Sequence, residues 1–478
     1  MDITYLPLDV WISISFLLTV QDILALRTSC KLLRSMMDER SIWFAALVDI
    51  LSVIHIPGLF EATRSMSSEE LRRRVLRMIC LDRQWYQGHI VPRKIGRQHC
   101  ETNTRRVQFI QGGEWVIVMF SNGQLQLCRA CNLAEPSICI PCSTEPNPHF
   151  EMGISLSCRL ETLVHVTERR WNSGYTDIRI YHVDVSVPDM SLRTPFRISQ
   201  IVEPISLHCD RLAAPWMETI TGRINVLIAD MLDEQAEKRV VMDLGTRNEE
   251  SHNFTIHVIS QQSLLLAKPT EFFLFTIPEC EAVNHSGDAL VIPVQPIWTY
   301  SHRVQPVRGR PYISSLPCTS SDPQCGKISI LTGKFIYLLS ISNRPEDYQV
   351  LHYSLAKHAG YVPFRAAMGF RHAIWTEENS VKPFVTLQTC AYSTMPNGYG
   401  GLQRLSHVGQ LGVQLRPIQL PIQNGEVIDV SWDEESGRLC LLISRSHGMN
   451  RVLVIDFRPA LSRSQHTSSA STPRESSF

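Results

Sequence analysis

Hydrophobic positions change their spacing along the chain. Up to about residue 90, apolar residues recur every three or four positions and glycine is almost absent before Gly58, which predicts helices. From about Val107, short runs of β-branched and aromatic residues alternate with polar residues and are separated by Gly, Asn, Asp and Pro. That pattern is typical of strands and turns. The sequence therefore predicts a small helical region and then a large all-β region, with the change between residues 90 and 105.

Four short helices are predicted within the first 50 residues. Pro7 suits the first position of a helix, and apolar residues follow it at 3.6-residue spacing. Thr19 and Asp22 form a capping-box pattern that opens a second helix. A third helix starts at residue 29 or 30, and Ser41 can cap a fourth. A domain of about 50 residues seldom buries enough surface to be stable alone. These helices are therefore expected to pack against something else.

The order and spacing of residues in these helices resemble an F-box. The matching residues are Leu6-Pro7, Asp9-Val10, Ile14, Leu18, Asp22, Leu24, Leu26, Cys30-Lys31 and Ser41-Ile42-Trp43. The similarity is greatest to F-box proteins of mushroom-forming fungi, covers residues 1–45 or so, and is weaker in the β-rich remainder. One departure is the pair Thr19-Val20, where many F-boxes have proline; the change leaves the helix cap intact.

The resemblance implies a substrate receptor of an SCF-type cullin ubiquitin ligase, acting in ubiquitin-dependent protein degradation and not itself an enzyme. Such a receptor binds a Skp-type adaptor, and through it a cullin, while a second domain binds an unknown protein target. By position, the adaptor-binding residues are Leu6, Pro7, Ile14, Leu18, Leu24, Leu26, Cys30 and Trp43. Four short helices with more apolar residues than one small core can use also favour an exposed surface that a partner helix covers. The alternative is that the helices pack on the β-rich domain as an ordinary cap.

A fifth helix is predicted between the F-box-like segment and the β-rich domain. Ser67 and Glu70 form a second capping-box pattern, followed by one helical stripe. The stripe consists of Leu71, Val75, Met78, Ile79, Asp82 and Trp85. Between Leu71 and Ile110 there are ten Arg or Lys residues and two acidic residues, a local charge of +8. Nucleic-acid binding is one interpretation, but without interleaved aromatic residues a solvated helix face or a contact with an acidic partner surface is favoured.

The recurring strand pattern of the β-rich domain predicts a propeller. Its clearest unit is a three-stranded meander from Val107 to Cys128 with an Asn122-Gly123 hairpin turn, and Val427 to Phe457 repeats the plan. Similar segments recur at a loose spacing, which is typical of propeller blades and allows six to eight of them. The regular Trp-Asp dipeptides of some propellers are missing, since Trp432-Asp433 occurs once and is predicted in a turn. A β-sandwich or an irregular β-solenoid therefore remains open.

The predicted fold class is α+β and multidomain. The domains are a helical F-box at 1–50, a helical linker at 51–92, a β-propeller-like domain at 93–458 and a disordered Ser-rich tail at 459–478. Basic and acidic residues balance at 46 each, so a strongly basic nucleic-acid-binding protein is not indicated. No signal peptide and no membrane-spanning helix are expected, and the 14 cysteines are interpreted as reduced thiols of a cytoplasmic or nuclear protein.

The best candidate for metal binding is the group Cys128, Cys131, Cys139 and Cys142. Two CxxC pairs can bind zinc, but the loop between them is short and Pro141 lies inside the second pair, so thiols on adjoining strands are favoured and no cofactor is predicted. Nucleophile-elbow and P-loop motifs do not occur in the sequence. A propeller hydrolase or lyase with an incidental helical prefix, and a nucleic-acid scaffold using the basic linker, are the alternatives to a receptor.

Overall fold

The computed structural model places most of the chain. It describes residues 6–53, 63–87, 92, 94–99, 104–110, 112–141, 149–157, 161–170, 173–200, 202, 205–208, 210–218, 220–231, 238–247, 253–282, 291–301, 310–315, 326–332, 335–342, 344–355, 363–369, 372–377, 384–391, 414–423, 425–445 and 450–457. The predicted tail at 459–478 lies outside these residues.

Five helices come first in the described chain, as the hydrophobic spacing predicts. They are α1 (Leu8–Ser15), α2 (Val20–Ser29), α3 (Lys31–Met37), α4 (Arg40–Val53) and α5 (Ser68–Gln87). Among the described residues, none of the helices is long and apolar enough to cross a membrane.

Local side-chain chemistry sets the helix boundaries. At the start of α2 the Asp22 amide donates to the Thr19 hydroxyl at 3.2 Å and the Thr19 amide donates to the Asp22 carboxylate at 3.1 Å, so the predicted capping box is confirmed. The same pair of bonds joins Ser67 and Glu70 at the start of α5. The prediction that Ser41 caps the fourth helix is wrong, because α4 begins one residue earlier and Ser41 is exposed within it.

Thirty strands follow the helices in the part of the chain that the structure describes. In chain order they are β1 (Lys94–His99), β2 (Thr104–Phe109), β3 (Trp115–Phe120), β4 (Leu125–Arg129), β5 (Asn132–Ile140), β6 (His149–Leu156), β7 (Thr162–Arg170), β8 (Tyr175–Asp184), β9 (Asp189–Ile198), β10 (Ser206–His208), β11 (Arg211–Met217), β12 (Arg223–Asp230), β13 (Lys238–Arg247), β14 (Thr255–Ser260), β15 (Ser263–Ala267), β16 (Glu271–Thr276), β17 (Glu281–Ala282), β18 (Val291–Pro293), β19 (Trp298–Ser301), β20 (Tyr312–Ser315), β21 (Gly326–Thr332), β22 (Phe335–Ile341), β23 (Gln349–Ser354), β24 (Pro363–Met368), β25 (His372–Glu377), β26 (Phe384–Ala391), β27 (Gln414–Gln423), β28 (Gly425–Asp433), β29 (Arg438–Arg445) and β30 (Asn450–Asp456).

These strands form seven sheets that close into a ring. Blades 1, 2, 5 and 6 are the meanders β2–β5, β6–β9, β20–β23 and β24–β27; blade 3 is β10–β13, and blade 4 is β14–β15–β16–β19. The first strand of each blade contacts the first strand of the next, from β2 through β6, β10, β14, β20, β24 and β28 back to β2. The β-rich domain is therefore a seven-bladed propeller, within the predicted range of six to eight, and the sandwich and solenoid alternatives are wrong.

Both ends of the β-rich domain build blade 7. Its order is β28–β29–β30–β1, and β1 pairs antiparallel with β30 over the register Lys94↔Asp456 to His99↔Arg451. The first strand of the domain is thus the outermost strand of the last blade. This pairing holds the ring shut by backbone hydrogen bonds between distant parts of the sequence.

Side chains on the inner strand of blade 7 add a second closure. Asp429, Ser431 and Asp433 alternate along β28 and so lie on one side of the strand. They accept hydrogen bonds from the backbone amides of residues 107, 109 and 112 in blade 1, at 2.9, 2.9 and 3.0 Å. Trp432 and Asp433 are the last two residues of β28. The prediction that this dipeptide lies in a turn is therefore wrong.

The even number of strands per blade fixes which ends of the inner strands lie together. Four antiparallel strands return the chain to the side where the blade began, so every inner strand starts on one face of the ring and ends on the other. We name these the start face and the helix face, since α5 packs on the latter. Nine residues of β28 at about 3.3 Å each separate the two faces by roughly 25–30 Å.

Blade 3 has its outer edge covered by a segment from blade 4. Between β16 and β19 the chain returns to blade 3, where β17 pairs antiparallel and β18 pairs parallel with β13. Covering an outer strand in this way protects its unpaired backbone groups from pairing with other chains.

Buried histidines lie in the blades. His165 on β7 packs its ring against Gly153 of β6, where an added Cβ would lie 2.4 Å from the ring, so only glycine fits. Burial lowers the pKa of His165 to about 4. Burial also lowers the pKa of His208 to about 4 and, together with the charge of His208, that of His257 to about 3. These rings lie at the junction of blades 3 and 4 with centroids 5.6 Å apart.

The propeller is therefore expected to lose stability in mild acid. A histidine whose pKa in the folded state is below its ordinary 6.5 contributes stability above pH 6.5, which is lost as the pH falls through about 4. For His165 alone the loss is about 2 kcal/mol at pH 5. Urea unfolding of the wild type at pH 7.5 and 5.0 measures it, and His165→Gln should show a smaller difference between the two pH values. An equal difference in the variant would contradict the prediction.

Candidate functional site

The N-terminal helices and the first half of α5 share one hydrophobic core. Its buried residues are Trp11, Val20, Ile23, Leu33, Met37, Ile42, Trp43, Ala46, Leu47, Ile50, Leu51, Leu71, Val75 and Met78. Every member precedes the propeller, so α1–α4 and the first half of α5 bury their apolar faces against one another. We call this unit the helical region.

The second half of α5 belongs to a different core. Leu81 and Trp85 lie in a cluster formed mainly by blades 6 and 7. The Trp85 ring centroid lies 4.6 Å from that of His372, 5.3 Å from that of Trp432 and 6.4 Å from that of Phe457. One continuous helix therefore takes part in both hydrophobic cores, which fixes the helical region on the propeller.

Contacts along α5 reinforce this attachment. Gly437, in the turn after β28, lies so close to Leu81 that an added Cβ would be 2.8 Å from its side chain, and its φ of +67° also favours glycine. Arg74 forms an ion pair with Glu435 of the same turn. The sequence stripe missed Leu81, although it is spaced correctly between Met78 and Trp85.

Asp38 joins three parts of the helical region. Its carboxylate accepts hydrogen bonds from Arg27 of α2 at 2.6 Å and from Arg72 of α5 at 2.9 Å. Burial raises the pKa of Asp38, but the hydrogen bonds and charges of Arg27 and Arg72 outweigh burial and hold it below its ordinary value. This ion-pair cluster therefore links α2, the end of α3 and α5.

The predicted adaptor-binding residues differ in exposure. Leu6, Ile14, Leu18, Leu24 and Leu26 are partly buried and pack on the helical core, whereas Pro7 and Cys30 are exposed. The Cys30 thiol accepts a hydrogen bond from the Leu33 amide at 3.4 Å and so caps α3. The binding of an adaptor by these seven residues stays a prediction.

Trp43 differs from the other predicted contacts in its burial. It is fully buried, and its indole nitrogen donates to the Met37 carbonyl at 2.7 Å. Its role as an adaptor contact stays a prediction. Its place in the motif is explained by packing, because the two rows of apolar residues on α3 and α4 meet around its ring.

Large apolar side chains remain exposed on the helical region. Leu17 is 80% exposed, Phe16 49%, Leu32 45% and Leu8 41%. Leu8 and Phe16 are eight residues apart, two helical turns, and so lie on one side of α1 with Ile12 between them. None of these four residues is among the predicted adaptor-binding residues, although they lie beside some of them. Together they form a candidate surface for a protein partner.

Several arginines of the basic linker form ion pairs within the chain. Arg72 pairs with Asp38, Arg74 with Glu435, and Arg106 with Asp429 at 3.0 Å. Carboxylates of the same chain therefore compensate the charges of these arginines, which weakens the interpretation of the basic linker as a nucleic-acid-binding face.

The cysteine pairs of the sequence lie in and after blade 1. Cys128 is buried in β4, whereas Cys131 in the following turn and Cys139 on β5 are exposed. The Cys139 thiol accepts a hydrogen bond from the side-chain amide of Gln124 at 2.7 Å. Cys142 lies outside the described residues, and within the described parts of the chain no three metal-binding side chains come together.

Comparisons with known proteins show likeness in fold alone. No protein-family model matches the chain, and no curated protein matches it. A crystal structure of the WD40 domain of SCAP from fission yeast is similar at a TM-score of 0.38 and 10% identity, over 74% of this chain and 84% of that one. The C-terminal WD40 domain of Sif2 is similar at 0.44 and 9% identity, over 76% of this chain and 99% of that one. These likenesses are too low to carry an argument, and the propeller assignment depends on the seven closed sheets.

Proposed function

We propose that the protein is an F-box substrate receptor of an SCF-type cullin ubiquitin ligase. The helical region binds a Skp-type adaptor, and the propeller binds a protein target. The observation that carries the proposal is the exposed apolar surface at Leu8, Phe16, Leu17 and Leu32. It lies within the segment whose residues resemble an F-box, and the helical core beneath it is complete without any contribution from the propeller.

The attachment of α5 supports this function. A receptor of this kind makes no bond itself; it raises the effective concentration of a target lysine near a ubiquitin-charged enzyme. That effect depends on a fixed distance and orientation between the two binding surfaces. Trp85 and Leu81 on the propeller side, and Leu71 and Val75 on the helical side, place one stiff helix in both cores.

Neither alternative function is favoured by a specific observation. The linker arginines form ion pairs within the chain, as described above. A seven-bladed ring offers broad faces that suit protein binding. A cavity of about 610 Å³ on the start face is lined by Thr104, Arg105, Arg106, Ser121, His149, Glu151, Arg365 and Ile428. Its three arginines outnumber the one carboxylate and the one histidine, which are the groups that a hydrolase or lyase needs.

Adaptor binding tests the proposal. The full chain is co-expressed with a Skp-type adaptor, and Leu6→Asp combined with Pro7→Ala is expected to abolish co-purification, since a carboxylate would then enter an apolar interface. The control is Ile220→Asp, which places the same charge on a propeller turn where the native side chain is 92% exposed. Recovery of the adaptor by the double variant at the wild-type level would contradict the proposal.

A further inference from the structure

Partly exposed aromatic rings lie on the outer rim of the propeller where blades 4 and 5 meet. Trp298 and Tyr300 belong to β19, the outermost strand of blade 4, and Tyr348 directly precedes β23, the outermost strand of blade 5. All three pack on the hydrophobic core between these blades and keep part of their surface in solvent. We name these three residues the aromatic rim.

The rings of the aromatic rim hold one another in place. Trp298 and Tyr300 are two residues apart on a strand and so lie on the same side of it, with ring centroids 6.0 Å apart and an angle of 11° between their planes. Tyr300 also stacks at 6.0 Å on fully buried Phe272, its partner in the register of β16 and β19. The edge-to-face contact of Trp298 with Tyr348, at 5.7 Å, joins the two blades. The rings are thus ordered before a ligand arrives, which lowers the entropic cost of binding.

The aromatic rim lies towards the helix face of the ring. In blades 4 and 5 the outer strand is the fourth of the antiparallel set and runs from the helix face back to the start face. Trp298 begins β19 and Tyr348 comes directly before β23, so both lie near the helix-face ends of these strands. The aromatic rim is therefore separate from the cavity on the start face, and also from the attachment of α5 to blades 6 and 7.

Two carboxylates lie next to the aromatic rim. The chain enters β23 through a short 3-10 turn, Pro345–Asp347, in which Glu346 and Asp347 are exposed. Among the residues that the structure describes, neither carboxylate has an ion-pair partner. With Arg344, which precedes the turn, the formal charge here is 1 − 2 = −1. Carboxylates beside aromatic rings repel an anion and attract a cation.

The rings and the carboxylates together favour arginine over other ligand groups. A purely apolar partner would bury the carboxylates of Glu346 and Asp347 without a counter-charge, which costs free energy. A guanidinium is planar, so it can stack on an aromatic ring while its N–H groups donate to carboxylates. A lysine ammonium is a compact and more strongly hydrated charge, and it does not stack in this way.

We propose that the aromatic rim and the turn Pro345–Asp347 bind an arginine-bearing segment of a partner protein. The guanidinium lies over the exposed parts of the Trp298 and Tyr348 rings, and the carboxylates of Glu346 and Asp347 accept its hydrogen bonds. The binding of arginine at this surface does not depend on the proposed function. The identification of the partner with the target of a ubiquitin ligase does rest on it.

Fluorescence anisotropy with the full chain tests the proposal. The probe is a labelled peptide of arginine, glycine and serine, and saturable binding is expected. Asp347→Lys should weaken binding about tenfold or more, because it places a like charge beside the guanidinium. The matched control is Asp189→Lys, since Asp189 is an exposed carboxylate of blade 2 that follows another exposed apolar residue, Val187. This control should bind the peptide at the wild-type level.

Substitutions of Trp298 test the aromatic part of the surface. Trp298→Ala should weaken peptide binding about tenfold or more, whereas Trp298→Phe keeps a ring and should retain most of the binding. Because Trp298 also packs on the core between the blades, thermal unfolding of each variant is measured. Asp347→Lys changes an exposed side chain and carries the test should Trp298→Ala fail to fold.

Two further peptides test the choice of arginine. Replacement of every arginine by lysine should weaken binding several-fold, and replacement by glutamate should abolish it. The proposal is overturned by absence of saturable binding to the arginine peptide, by equal binding of the lysine peptide, or by equal effects of Asp347→Lys and Asp189→Lys.

Adaptor co-purification on the same preparations keeps the two proposals apart. Asp347→Lys should lose peptide binding and recover the adaptor at the wild-type level, since the turn lies on the propeller. Failure of the adaptor to bind a wild-type protein that still binds the arginine peptide would reject the receptor function and leave the aromatic rim standing as a binding surface.

Discussion

Trp43→Ala is expected to destabilise the helical region by about 3–5 kcal/mol. The indole is fully buried at the centre of the helical core, and its removal leaves a cavity and also removes the hydrogen bond to the Met37 carbonyl. Hydrogen exchange of α4 amides in the full chain measures the effect, and protection should fall at least about a hundredfold. Under the proposed function, adaptor binding should be lost as well, because the surface residues depend on this core.

Leu17→Ala is the matched control for Trp43→Ala. Leu17 is 80% exposed, so its truncation should change stability by no more than about 0.5 kcal/mol. Under the proposed function it should nevertheless weaken adaptor binding. Protection of α4 amides that stays at the wild-type level in Trp43→Ala would show that the core around the indole does not hold the helical region together.

Asp429→Ala is expected to destabilise the propeller by about 3–5 kcal/mol. The substitution leaves the Arg106 guanidinium without its ion-pair partner and the Val107 amide without its acceptor at the junction of blades 7 and 1. Burial raises the pKa of Asp429, while the charge of Arg106 and the Val107 hydrogen bond act in the opposite direction. The midpoint of urea unfolding, followed by tryptophan fluorescence, should fall accordingly.

The control for Asp429→Ala is Arg197→Gln. That change removes an ion pair within a blade, where the arginine side chain is exposed, and should cost less than about 1 kcal/mol. Asp429→Asn should lie between the two, because the amide oxygen can still accept from the Val107 amide. Equal unfolding midpoints for Asp429→Ala and Arg197→Gln would mean that this contact does not contribute to ring closure.

The helices were predictable because their signals are local. Capping boxes at Thr19 and Ser67 need only residues three positions apart, and the apolar stripe of α5 repeats over about four turns. Four-residue spacing does not, however, tell a buried residue from one that binds a partner. The predicted contacts therefore include Trp43, which is fully buried, and leave out Leu17, which is 80% exposed.

The propeller was predictable in type but not in detail. Clear hairpin signals mark blades 1 and 7 but not every blade. Proline weakens the strand pattern elsewhere: Pro215 is buried in β11 of blade 3 and Pro417 lies in β27 of blade 6, although proline normally argues against a strand. Blade 4 is interrupted by the segment that covers blade 3, which breaks the repeat spacing.

The cavity gave no local signal at all. Arg105 and Arg106 were counted with the basic linker, while His149 and Arg365 lie far along the chain. Only closure of the ring brings these residues together at the start face. The contact that closes the ring between blades 7 and 1 does have a signal in the sequence. Polar residues alternate with apolar ones along β28, at Asp429, Ser431 and Asp433.

The pairing of β1 with β30 has a consequence for synthesis of the chain. The helical region and β1 leave the ribosome before blades 1–7, but β1 has no partner strand until β30 of blade 7 has been made. The propeller side of α5 also waits for Trp432 and Phe457, which pack on Trp85. A product that stops short of residue 425 would carry a complete helical region without a finished ring. Under the proposed function, premature termination would therefore yield a competitor for the same adaptor rather than a weaker receptor.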